Sequence, residues 1–162
     1  MIKHILLGIM LILYSIPIIY VYNMFQTKDT LSDIICNDEC KKYILFCMSI
    51  MSFFTIIYEF LRNDMESIFY IFILLIAIYG LLQNGVVSIA HFIFAIFCLF
   101  AIFCFMVHHS YLTNSTILSM FTFFNYCIML CMIIFVKDDI IICECLYILC
   151  FACFYIYLHF LS

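Results

Sequence analysis

The stretch Val86–Val107 reads VVSIAHFIFAIFCLFAIFCFMV and contains no Asp, Glu, Lys or Arg. As a helix rising about 1.5 Å per residue it would extend about 33 Å, enough to cross a hydrocarbon core about 30 Å thick. A membrane β-strand would instead alternate apolar and polar residues over about ten positions. The unbroken run therefore predicts a transmembrane helix. Five more apolar runs accompany it: Ile5–Tyr22, Tyr43–Leu61, Ser67–Leu82, Ile117–Val136 and Ile140–Leu161. The run from Ser67 is the shortest and needs Gln83 and Asn84 to complete a crossing. The predicted spans are thus 5–22, 43–61, 67–84, 86–107, 117–136 and 140–161. The expected fold class is all-α, a single polytopic transmembrane bundle of six membrane-spanning helices.

Composition agrees with this reading. Of 162 residues, 70% are hydrophobic and 10% charged, where soluble domains run near half and a quarter. A soluble domain of this length could not hide so much apolar surface. Lipid must be the main solvent, and helices satisfy their own backbone hydrogen bonds there. The formal charge of −4 is scattered, with no run of Lys or Arg, which argues against a nucleic-acid partner. With 12 Tyr and no Trp, an interfacial aromatic belt must be built from tyrosine. Nine of the eleven cysteines fall inside apolar runs, where a free Cys acts as a small hydrophobe.

One connection is long, 23–42, and it holds Lys28, Asp29, Asp33, Asp38, Glu39, Lys41 and Lys42. The others, Arg62–Glu66, Asn84–Gly85, His108–Thr116 and Lys137–Asp139, are short and force antiparallel neighbours. Lys3 and His4 precede the first run as in a signal peptide. Ile18-Ile19-Tyr20-Val21-Tyr22 lacks the small residues of a cleavage site, so the run reads as a retained helix, kinked at Pro17.

Ionisable groups inside membrane runs are expensive and are functional candidates by default. Glu59 stands at the end of a polar stripe formed with Ser49, Ser52 and Thr55 at helical spacing, expected to face the bundle interior. The stripe is either a lining for a lipid headgroup or an ion, or interhelical hydrogen-bond glue. His91 and Glu144 each lie one turn into a run. His91 is a ligand, a relay or a packing residue, and Glu144 is a buried acid or reaches the interface. Asn125, in mid-run, is expected to bond a neighbouring helix. Cys36 and Cys40 are the only loop cysteines, and two cysteines alone make a poor zinc site. Asn114-Ser115-Thr116 matches a glycosylation sequon. There is no glycine-rich phosphate loop, no metal-binding helix motif and no serine nucleophile elbow. No catalytic constellation or cofactor is therefore expected. Six spans place both termini on one side with Lys3 and Arg62, against Lys28, Lys41, Lys42 and Lys137 on the other. The positive-inside rule then favours termini facing out.

Several short elements resemble a six-span family. They are Leu31-Ser32-Asp33, Glu39, Tyr43 to Met48, Phe53-Phe54, Tyr58 and Arg62; then Gly80, Asn84, His91 and Ala95; and finally Ile142-Cys143-Glu144-Cys145 with Phe154-Tyr155. The pattern is similar to the damage-regulated autophagy modulator (DRAM), Frag and Sfk membrane proteins and the Cwh-type N-terminal domain. This chain would be a divergent, compact member. The resemblance implies cytosolic termini and a lumenal first loop, in place of the charge-based orientation. That topology permits a Cys36–Cys40 disulfide and leaves Asn114 unglycosylated. It also implies an endomembrane role in lipid handling, namely GPI-anchor lipid remodelling or phospholipid organisation, or in autophagy. Asp33, Glu39, Arg62, His91 and Glu144 would bind or position a headgroup, with membrane lipids and other membrane proteins as partners. A non-catalytic scaffold and a small channel or transporter are the alternatives.

Overall fold

The computed structural model describes residues 2–24, 38–84, 88–134 and 140–161, some side chains within those segments excepted. These residues form six α-helices and no strand: α1 Ile2–Met24, α2 Asp38–Arg62, α3 Met65–Gln83, α4 Ile89–Thr113, α5 Thr116–Ile134 and α6 Ile140–Leu161. The all-α, six-helix expectation holds. Among the described residues, Lys41–Arg62, Met65–Gln83, Ile89–Thr113 and Ile142–Leu161 are long and apolar enough to cross a membrane, and Ile2–Ile16 and Thr116–Met132 are shorter apolar stretches.

The helix ends depart from the hydropathy runs in one consequential place. The segment from His108, expected as a connection, continues α4 to Thr113. Polar side chains end an apolar run but do not end a helix; a backbone stop does. Here the stop is Asn114 in the left-handed region at φ 48°, its N–H donating to the Tyr111 carbonyl at 3.3 Å. Asn tolerates that conformation better than most residues. The turn between α2 and α3 uses the same device. Asn63 sits at φ 60°, and Asp64 caps α3 by accepting from the N–H groups of Glu66 and Ser67, each at 3.1 Å. Helix α1 runs continuously through Pro17.

One core is shared by all six helices, with Leu6 of α1, Tyr58 of α2, Ile71 of α3, Phe105 of α4, Leu118 of α5 and Phe154 of α6 in a single buried cluster. Helix α3 packs on α4, α1 on α2, and α5 on both α4 and α6. A side chain at Gly80 would meet the Phe94 ring at 2.5 Å, so the absence of a Cβ lets α3 and α4 approach closely. The outer surface is apolar too: Phe46, Phe53, Ile89, Ile96, Met120 and Phe123 are all exposed. Such a surface suits lipid rather than water. The class this fold defines is an integral, multi-pass, helical membrane protein.

Candidate functional site

Among the described residues, polar contacts between helices gather where the N-terminus of α1, the α2–α3 turn, the α4–α5 turn and the C-terminus of α6 meet. Glu59 is completely buried there. Its carboxylate accepts from the Tyr155 hydroxyl of α6 and the Ser67 hydroxyl of α3. One turn on, Arg62 Nη1 lies 3.7 Å from Glu59 Oε1, and the guanidinium is 95% buried by its side-chain exposure of 5%. Arg62 Nη2 donates to His109 Nδ1 at 3.4 Å. A guanidinium is only a donor, so His109 keeps its Nδ1 lone pair free of a proton. Arg62 Nη1 and His109 Nε2 are buried and have no hydrogen-bond partner among the described residues.

Beside this ion pair runs a second group. Asp64 Oδ2 stands 3.1 Å from His108 Nε2 and 3.9 Å from His109 Nδ1. His108 Nδ1 meets Glu66 Oε2 at 2.9 Å. Burial pushes the Asp64 carboxyl up, but the Ser67 N–H and the two histidines outweigh it and hold Asp64 below the ordinary aspartate range. A third group links α1, α2 and α6. The Tyr58 hydroxyl meets His159 Nδ1 at 2.5 Å, and His159 Nε2 meets His4 Nδ1 at 2.6 Å. With a neutral His159, a donating Tyr58 leaves Nε2–H to donate to His4. The chain runs from a buried tyrosine to an exposed histidine. Four of the five histidines thus lie at this end.

The sequence-derived candidates scatter against this map. Arg62 and Glu59 belong to the cluster. His91 is buried at the start of α4, its Nδ1 3.3 Å from the Asn84 carbonyl. The eighteen residues from His91 to His109 put it about 27 Å away along the helix. Glu144 is half-buried at the start of α6, at that same far end. The set Arg62, His91 and Glu144 is therefore not one site. Asp33 and Cys36 lie outside the described residues, as do the side chains of Glu39 and Cys40. Of the polar stripe, Thr55 and Glu59 are buried and Ser49 is exposed. The hydroxyls of Ser49, Ser52 and Thr55 donate to the carbonyls of Leu45, Met48 and Met51 at 2.7, 2.6 and 2.8 Å, four residues back in their own helix. Side-chain hydroxyls with no other acceptor in an apolar medium take that bond. Asn125, fully buried, donates from Nδ2 to the Met106 sulfur at 3.1 Å, bridging α5 to α4 as expected of it. Nearby, the hydroxyls of Ser110 and Thr122 meet at 2.8 Å.

Sequence reasoning gives no role to His108, His109 or His159, and Tyr155 enters it only within the aromatic pair Phe154-Tyr155 of the resemblance. Hydropathy places the histidine pair in a connection. The clustering of histidines near three of the predicted helix ends was the available signal. The chain matches no protein-family model, no curated protein and no solved structure.

Proposed function

We propose that this protein handles lipid, holding an anionic phospholipid headgroup at the end of the bundle where both termini lie. The observation that carries this reading is Arg62: a buried cation, balanced by Glu59 on one side, with Nη1 free of hydrogen bonds beside the unpartnered His109 Nε2. Buried charges persist when they are paired or when they serve a ligand. A phosphate oxygen suits both unused donors, since guanidinium–phosphate contacts are among the stronger charge-assisted bonds. At the same end, a lipid-facing groove of about 310 Å³ between α4 and α5 is lined by Phe103, Val107, Phe123 and Tyr126, with Ser110, Ser119 and Thr122. Its apolar walls suit an acyl segment.

The resemblance to the DRAM, Frag and Sfk proteins supports the same reading and adds an endomembrane location with cytosolic termini, which would put Arg62 at the cytosolic leaflet. GPI-anchor lipid remodelling, phospholipid organisation and autophagy are the processes it brings forward.

Native mass spectrometry of detergent-purified protein tests the proposal, with wild type beside Arg62→Gln, Glu39→Gln and His91→Ala. The expected result is an anionic phospholipid kept by wild type, Glu39→Gln and His91→Ala and lost from Arg62→Gln. Loss from the far-end variants alone would move the headgroup to the other leaflet. Lipid-free wild type would leave a non-catalytic scaffold as the better description.

A further inference from the structure

We propose that Asp64, His108 and His109 form a binding site for a divalent first-row transition-metal ion, with Glu66 holding His108 in its ligating tautomer. This inference rests on side chains other than the lipid reading does, apart from the Arg62–His109 contact they share.

The argument starts from lone pairs. His108 Nδ1 lies 2.9 Å from Glu66 Oε2, so that nitrogen carries the proton and donates it to the carboxylate. In a neutral ring the lone pair then sits on Nε2, which faces Asp64 Oδ2 at 3.1 Å. His109 Nδ1 also presents a lone pair, fixed by the donating Arg62, and lies 3.9 Å from the same oxygen. With His108 neutral, its Nε2, Asp64 Oδ2 and His109 Nδ1 are three acceptors facing one another, the last of them accepting from Arg62. A second proton on His108 would satisfy one of these contacts. A cation at their centre would satisfy all three.

The spacing fits such a cation. Ligands held tetrahedrally about 2.0–2.1 Å from a zinc-sized ion stand about 3.3 Å from one another. The 3.1 and 3.9 Å separations bracket that value, and one donor atom from each of the three residues lies within 4.8 Å of the others. Two imidazoles and a carboxylate suit zinc or another borderline divalent ion rather than calcium or magnesium. The Glu66–His108 contact is the arrangement by which a carboxylate orients a ligating histidine. When the ion binds, Arg62 gives up His109 and keeps Glu59. Three protein ligands leave a fourth position open to water or an oxygen of a bound molecule.

The test uses the full-length protein in detergent, stripped with a chelator and then dialysed against zinc or cobalt(II). Metal content is read by elemental mass spectrometry and geometry by the visible absorption of cobalt. Wild type is expected to bind about one equivalent, with a cobalt spectrum of low-coordinate intensity. His109→Ala should lose it. Asp64→Asn should lose it while keeping the α3 cap, because Asn caps helices as well as Asp does. Glu66→Gln should weaken binding by about tenfold or more. His91→Ala, at the far end, should leave it unchanged. Elution profile and helical circular dichroism establish that each variant is folded, and Asp64→Asn keeps the test decisive if His109→Ala is not. Folded wild type without stoichiometric metal, or metal retained in Asp64→Asn, would overturn the proposal. Metal lost with phospholipid still retained would separate its ligands from the headgroup site.

Discussion

The two ends of this bundle are held in different ways. At the terminal end, side chains far apart in sequence are bonded to one another: Glu59 to Tyr155, Tyr58 to His159, His4 to His159, Asp64 to His108. At the far end, the described polar contacts are mostly local. His91 bonds Ser88 and the Asn84 carbonyl, and Asn84 Nδ2 donates to the Gly80 carbonyl at 2.6 Å. There the helices are joined by packing, through the Gly80–Phe94 approach and the Tyr20–Tyr43 ring pair at 4.6 Å. Among the described residues, one end is cross-linked by side chains of different helices, and the other shows close apolar fitting between α3 and α4 and between α1 and α2. In lipid, both packing and interhelical hydrogen bonds hold helices together, and among the described residues the buried pair Glu59 and Arg62 lies at the cross-linked end.

The contrast can be broken by substitution. Glu59→Ala should have the largest effect, because it strands Arg62 as an unpaired buried charge and leaves the Tyr155 and Ser67 hydroxyls without their acceptor. Breaking a buried pair costs about 3–5 kcal/mol, readable as a fall in unfolding temperature followed by thiol-reactive dye at the buried Cys47 and Cys150. Stability within about 1 kcal/mol of wild type would show that the network is incidental. Gly80→Ala should come next, at about 1–3 kcal/mol, since the new methyl collides with the Phe94 ring and overpacks the α3–α4 contact. A neutral result in the same assay would mean that the far end is not tightly fitted. Ser49→Ala should change stability by less than about 0.5 kcal/mol, its hydroxyl being exposed and bonded only to its own helix. A larger loss would reveal an outside partner for that face.

How much of this was legible in the sequence follows from what each feature depends on. The six helices were legible because crossing a bilayer requires an unbroken apolar run, which is a property of one segment. Glu59 was legible for the same local reason: it is an acid inside such a run. Its partners were not. Whether Tyr155 or Tyr157 reaches Glu59 depends on the rotation of α6 against α2, and helices that are apolar on every face carry no stripe to fix that rotation. The histidine pair was lost to a boundary, since hydropathy ends at Val107 while the backbone stays helical to Thr113. His91 and Glu144 stood out for being polar near helix ends, yet the ends they mark are not the one that holds Arg62.

Glu59 and Tyr155 are separated by 96 positions in the chain. Synthesis runs from the N-terminus, so α2 enters the bilayer carrying a carboxylate whose tyrosine has not yet been made. Until α6 arrives, Ser67 and Arg62, both nearby in sequence, are the described partners of that charge. Helix α6 thus completes the burial of an acid placed in α2. A chain stopped short of α6 would lack the Tyr155 hydroxyl and leave the Glu59 carboxylate with one donor fewer.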